Sequence, residues 1–338
     1  MKPLLDIVVC CTVLEQILRA SMLTGSDEQM ELARHIRQHR MLVSEQLMEL
    51  CEQYFAENAP ELLETYRTFC ASAVQSETTV KLVPDVENPL SITDNPYYAE
   101  LIGICQNSRD KLLLSEKKEK LYQIMAKKRK AGQGKGTKAG QSKGTKAGQG
   151  KGTKAAKNGN ELTILNGRDA LEESFENPLF LYTLPVTGLM LRETQSNDEV
   201  AAWLKRFLEQ ESYVQIFDNY LFTSSGLRGF EQYILHFLPP DAELQIYTQL
   251  SGEVTEEQIK QAVQKEKYQN RELAVYIVNS KKDLHERRIQ GEYVIIQFDK
   301  GFAVFGKDGR IQKSPISVME STNARRTVIP ETGVRRIL

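Results

Sequence analysis

Apolar positions follow two different periods along this chain, and the change falls near its middle. In the first third they recur at helical spacings. Ser26 precedes DEQMELARHIRQHRMLVSEQLMELCEQYFAE, where Met30, Ala33, Ile36, Val43, Leu47, Leu50 and Tyr54 fall three, four and seven residues apart. A serine followed by Asp27 and Glu28 is a helix start, because its hydroxyl caps free N–H groups and the acids face the positive helix end. The spacing predicts one long helix from Asp27 onward. A second helix begins near Pro60 and carries Leu62, Leu63, Tyr66, Phe69 and Cys70; a last one follows Asn95 and runs on into KKEKLYQIMAKKRK. The opening MKPLLDIVVCCTVLEQILRASML is apolar, but Asp6, Glu15 and Arg19 interrupt it and it lacks a cleavage site. It predicts a largely buried helix rather than a signal or spanning segment. Residues 1–126 therefore read as an α-helical bundle domain.

Beyond residue 160 the period shortens. The β-rich runs YVQIFDNYLF (213–222), ELQIYTQL (243–250), LAVYIV (273–278) and YVIIQF (293–298) alternate with helical patterns at 197–211, 224–238 and 255–267. Such alternation predicts an α/β domain over 160–320 with a mostly parallel sheet. Ligands of such sheets bind beyond the carboxyl ends of the strands. Asp218 and Tyr220 close the first of these strands, and His285 follows the third after a short polar loop.

Residues 127–159 separate the two patterns. Three tandem octets, KAGQGKGT, KAGQSKGT and KAGQGKGT, fill 130–153, with eight glycines and no large apolar residue, so they cannot build a core. This is a low-complexity linker; as a coil, 31 of its residues span about 30 Å. The last stretch, 321–338, is a basic tail with Arg325, Arg326, Arg335 and Arg336, expected to be flexible or docked on a partner.

Composition sharpens this division. The chain has 338 residues, 41% hydrophobic and 26% charged, a soluble globular mixture, and a net charge of −1. That balance hides eleven Lys/Arg and no acid in residues 127–157, against nine basic and eighteen acidic residues in 1–116. An acidic head repels phosphate and argues against a DNA-binding head domain; it suits a protein partner. The lysine-rich linker suits nucleic acid or an anionic membrane, bound through counterion release without sequence preference. Cys10, Cys11, Cys51, Cys70 and Cys105 fit no metal spacing and behave as small hydrophobes of a reduced, cytoplasmic protein. His35 and His39 have zinc-like i, i+4 spacing, but no HExxH glutamate lies between them and three arginines crowd the stretch, which predicts a solvated basic face. His236, late in a helix, reads as core or as a helix C-terminal cap.

The order strand, D-x-Y, helix, strand, helix, strand, L-H-x-R, strand resembles one half of the phospholipase D fold. The closer similarity is to the phospholipase D-like domain at the C-terminus of MIT-domain proteins. FDNYLF matches a D-P-Y motif through Asp218 and Tyr220; LHERRI matches H-D-R through His285 and Arg287; and Lys300 with Gly301 stand in the following turn. The acidic head does not look like a MIT domain. The resemblance implies a phosphate site built from Asp218, Tyr220, His285, Arg287 and Lys300, with no metal and no cofactor. It also implies a homodimer, since catalysis in this superfamily pairs two such histidines, and a setting in bacterial conflict or antiviral systems.

Two functions stay open. An active member resembles H-x-K-x4-D followed by a serine and asparagine that hold phosphate oxygens. Here the pattern is His285, Arg287 and Glu292, and KGFAVFGKDG offers no serine or asparagine. That departure favours a non-catalytic interaction or adaptor protein that dimerises and binds a phosphate-bearing ligand. The alternative is a homodimeric nuclease or phosphodiesterase with His285 as the nucleophile.

Overall fold

The structure is a computed structural model that describes residues 5–22, 24–74, 79–87, 95–108, 111–116, 162–250, 254–265, 268, 271–279, 284, 287–322, 329 and 333–338. The linker octets lie outside the described residues. The chain divides into two compact units, Leu4–Thr183 and one built from Leu184–Leu338.

The first unit is not a helical bundle. Its elements run β1 (Asp6–Val9), α1 (Cys11–Ser21), α2 (Asp27–Ile36), β2 (Arg40–Val43), α3 (Glu45–Asn58), α4 (Leu63–Val74), β3 (Val80–Leu82), α5 (Pro96–Asn107), β4 (Leu112–Leu114), β5 (Thr163–Leu165) and α6 (Pro178–Tyr182). The five strands form one sheet in the order β3-β2-β1-β4-β5, every pairing parallel. Ile7, Val8 and Val9 of β1 and all three leucines of β4 are buried, as both faces of a parallel strand are. Such strands lack the alternation that marks an edge or hairpin strand, so they passed for helix.

The expected long helix from Asp27 is two helices with β2 between them. α2 has its Ser26 capping box, with Gln29 N–H donating to Ser26 Oγ and the Gln29 side chain receiving Ser26 N–H. The chain then turns at Arg37–His39, extends as RMLV, and restarts where Ser44 Oγ accepts from Leu47 N at 3.1 Å. A spacing of seven between Ile36 and Val43 bridges the interruption and hides it. The opening segment likewise is β1 followed by α1 rather than a single helix. Asn95 caps α5 as expected, accepting from the backbone of Tyr97 and Tyr98, but the helix ends at Asn107 and β4 follows.

The second unit carries β6 (Val186–Leu191), α7 (Asn197–Leu208), β7 (Tyr213–Phe217), α8 (Ser224–Tyr233), β8 (Glu243–Thr248), α9 (Glu256–Val263), β9 (Leu273–Val278), β10 (Arg287–Gly291), β11 (Val294–Phe298), β12 (Ser314–Glu320) and β13 (Val334–Arg336). Its eight strands are ordered β13-β9-β8-β7-β10-β11-β12-β6. Of these, β7, β8 and β9 are mutually parallel, and every other neighbour is antiparallel. The sheet is thus mixed and not mostly parallel: the strand–helix alternation stops at β9, and β10 to β12 return as a meander. One face buries Val214, Ile216, Leu244, Ile246, Val275, Ile289, Ile296 and Val318.

Two boundaries differ from the sequence expectation. Residues 162–183 pack with the first unit, because β5 extends the first sheet beside β4. The basic tail contributes β13, whose Arg335 and Arg336 pair in register with Ile277 and Tyr276 of β9.

Candidate functional site

The expected site begins where β7 ends. Asp218 continues the parallel ladder by donating its N–H to the Tyr247 carbonyl at 3.1 Å. The chain then turns, and Thr223 caps α8 by accepting from Gly226 N. Within the turn Asp218 Oδ1 accepts the Tyr220 N–H at 2.8 Å, an aspartate fixing its own loop. Asp218 Oδ2 accepts the Phe302 N–H at 3.3 Å from the turn after β11. This carboxyl group is 2% exposed. Burial pushes its pKa up to about 6, against the opposing pull of those two N–H donors and of the nearby Arg287 charge.

Gly301 makes that arrangement possible. It has φ +56°, in the region that side chains disfavour, and a Cβ there would run into Asp218 Oδ2 and lie 2.9 Å from Arg287 Cδ. On the other side Gly229 of α8 lies so close to the Phe302 carbonyl that a Cβ would overlap it. The turn of residues 299–302 is therefore clamped between Asp218 and α8.

Arg287 opens β10 opposite Phe298. Its guanidinium donates to the Asp299 carbonyl and, at 3.5 Å, to Asn219 Oδ1, and its Cζ lies 5.1 Å from the centre of the Tyr220 ring. No carboxylate forms an ion pair with Arg287 among the described residues. Tyr220 is 49% exposed, and Lys300, preceding Gly301, is exposed as well. Asp218, Tyr220, Arg287 and the Lys300–Gly301 turn thus converge at one end of the sheet. His285 lies outside the described residues. Asp218 does not hold the guanidinium by a direct hydrogen bond; both of its oxygens take backbone N–H groups, and neutral oxygens of Asn219 and Asp299 fix the arginine instead. Sequence reasoning passed over Asn219 and Asp299, although the first stands inside the D-x-Y motif and the second at the turn.

Glu292, read as the aspartate equivalent of the catalytic pattern, is elsewhere. It follows the far end of β10, roughly 15 Å from Arg287 at strand spacing, and accepts from Ser212 Oγ at 2.6 Å. Next to it the buried Glu211 accepts the N–H groups of Glu292 (2.6 Å), Tyr293 (3.2 Å) and Val294 (3.1 Å). Burial raises the Glu211 pKa despite these donors.

The remaining histidines also differ from expectation. His35 and His39 are buried, at 5% and 2% exposure, and do not form a solvated face. His39 accepts from Leu5 N through Nδ1 at 3.3 Å and bonds the Thr183 hydroxyl through Nε2 at 2.9 Å; His35 Nε2 lies 3.1 Å from Glu31. Turning at residues 37–39 puts the second ring inside rather than one turn further along a helix. His236 is exposed, on a short 3-10 turn after α8, with its ring 3.9 Å from that of Phe237.

No protein-family model matches the chain, and no match to it was found among curated proteins. Among the described residues no helix is long and apolar enough to cross a membrane.

Proposed function

We propose that the second unit is a phospholipase D-like, non-catalytic anion-recognition module and that the protein acts as an interaction or adaptor protein for a phosphate-bearing ligand. The observation that carries this reading is Arg287. A half-buried guanidinium held by a carbonyl and an amide oxygen, with no carboxylate ion pair among the described residues, retains its charge for an incoming anion. A planar fork of this kind matches two phosphate oxygens at once. The exposed Lys300 on the adjoining turn adds a second positive charge, and Tyr220, 49% exposed, carries a hydroxyl donor.

The separation of Glu292 from Arg287 weighs against hydrolysis, since a reacting phosphate at one end of β10 cannot reach a carboxylate at the other. In this reading two copies of the chain associate, the acidic stretch 1–116 takes a protein partner, and the lysine-rich linker adds weak polyanion contact. Five cysteines without a disulfide suit the reducing cytoplasm, and a bacterial conflict or antiviral system is the proposed setting. Titration of the full chain with inorganic phosphate, a short single-stranded oligonucleotide and phosphatidylserine vesicles tests it. Arg287→Ala should weaken binding about tenfold, the effect of losing one charge-assisted contact, and His285→Ala less. Metal-independent cleavage of a phosphodiester by the wild type, lost in His285→Ala, would establish the phosphodiesterase reading instead.

A further inference from the structure

The first unit holds a chemical pair that the proposed anion site does not use. In the strand order β3-β2-β1-β4-β5 the chain builds outward from β1 on one side and then resumes with β4 on the other, so β1 and β4 flank the point of reversal. Cys10 and Cys11 stand at the carboxyl end of β1 there. Cys10 N donates to the Leu114 carbonyl at 2.9 Å, which locks the strand end, and Cys11 opens α1 with its N–H on the Tyr97 hydroxyl at 2.6 Å. Cys51 comes in from the middle of α3. Both Cys11 and Cys51 are buried, and their sulfurs are 2.7 Å apart. Two unbonded carbons keep about 3.5–4.0 Å, and sulfur is larger than carbon. A covalent S–S bond measures about 2.04 Å, so closure needs a sulfur displacement of well under 1 Å.

We propose that Cys11 and Cys51 form an oxidative modification site, a disulfide that a peroxide closes and a dithiol reopens. One thiol gives up its proton and attacks the O–O bond of hydrogen peroxide, leaving a sulfenic acid and a hydroxide that takes the proton to become water. The second sulfur then displaces the hydroxyl group from the first; the S–S bond forms and a second water leaves with the remaining proton. Two thiols are oxidised and one peroxide is reduced. Hydrogen peroxide is nearly as small as water, so reaching the buried pair needs less opening of the fold than a bulkier disulfide oxidant would. The contact with Cys11, together with burial, pushes the Cys51 thiol well above its ordinary range. Reaction through the Cys51 sulfur therefore accelerates as pH rises, since the thiolate is the reacting form. Cys70, on α4, is half-buried and serves as an internal comparison. The bond would staple the start of α1 to α3 across 40 residues that include α2 and β2.

The full-length protein is treated with hydrogen peroxide and unfolded in the presence of N-ethylmaleimide. It is then digested without reductant and analysed by mass spectrometry. The peptides of Cys11 and Cys51 should appear joined, two hydrogens lighter than their sum, and dithiothreitol should separate them. Cys70→Ser should give the same joined pair, and Cys51→Ser should lose it. Oxidised wild-type protein should melt on the order of 5–15 °C above the reduced form, a comparison that needs no variant to fold. Full alkylation of Cys11 and Cys51 after the Cys70 thiol has been consumed would overturn the proposal. So would a cross-link from either one to a different cysteine, or a melting shift that persists in Cys51→Ser.

Discussion

The two ends of β10 make a natural experiment. At its start the buried Asp218 is tied by two backbone N–H groups; at its finish the buried Glu211 is tied by three. Burial raises the pKa of both. What separates them is their surroundings. Asp218 has Arg287 beside it, an exposed tyrosine over that arginine and an exposed lysine on the adjoining turn, whereas the carboxylate of Glu211 is spent on the backbone of the β10–β11 hairpin. Burial and a shifted pKa alone do not distinguish a ligand site from a turn clamp; a neighbouring guanidinium that forms no ion pair among the described residues does.

Gly301→Ala should have the largest effect on this contrast. A Cβ at φ +56° pressed into Asp218 and Arg287 combines backbone strain with overpacking, worth about 3–5 kcal/mol in urea denaturation, and phosphate binding should be lost with it. Next comes pH. In strong acid the Asp218 carboxyl is protonated in the folded and unfolded chain alike. Between its ordinary 3.8 and about 6 the unfolded chain releases its proton first, so stability falls as pH rises through that window and then levels off. The fall attributable to this group is up to about 3 kcal/mol, and Asp218→Asn should remove that share of the slope. Glu211→Ala leaves hairpin N–H groups without an acceptor and should cost about 2 kcal/mol while phosphate affinity stays unchanged. The smallest stability effect belongs to Arg287→Ala, less than about 1 kcal/mol, although its binding defect is the one that matters. If Glu211→Ala impairs phosphate binding as much as Arg287→Ala does, the two ends are not functionally distinct.

In the second unit α7, α8, α9 and the strands β7, β8, β9 and β11 were legible because their patterns are long or flanked by caps: α7 starts at Ser196, α9 at Thr255, and β8 alternates cleanly from Glu243 to Thr248; β6, β10, β12 and β13 were not. The first sheet was not legible. Three- and four-residue parallel strands buried on both faces have no alternation to detect, and DIVV, RMLV and LLL fit equally well inside buried helix. Asp218 and Tyr220 could be placed at a sheet end from the strand pattern, and Arg287 joined them only through the motif resemblance. Glu292 could not, because spacing along the sequence does not say whether the chain runs away as an extended strand or folds back; here β10 carries it off.

The pairing of β5 with β4 has a practical reading. These strands are neighbours in one sheet but are separated in the sequence by the whole lysine-rich stretch, and residues 162–183 fold with what precedes that stretch. A protease cut between Glu116 and Leu162 would accordingly nick the first unit rather than divide the protein into its two units. The products should run apart on a denaturing gel yet elute together under native conditions. By the same logic, an expression fragment beginning near residue 160 would carry an orphan strand, Thr163–Leu165, with no sheet to join, whereas one beginning near Leu184 would not.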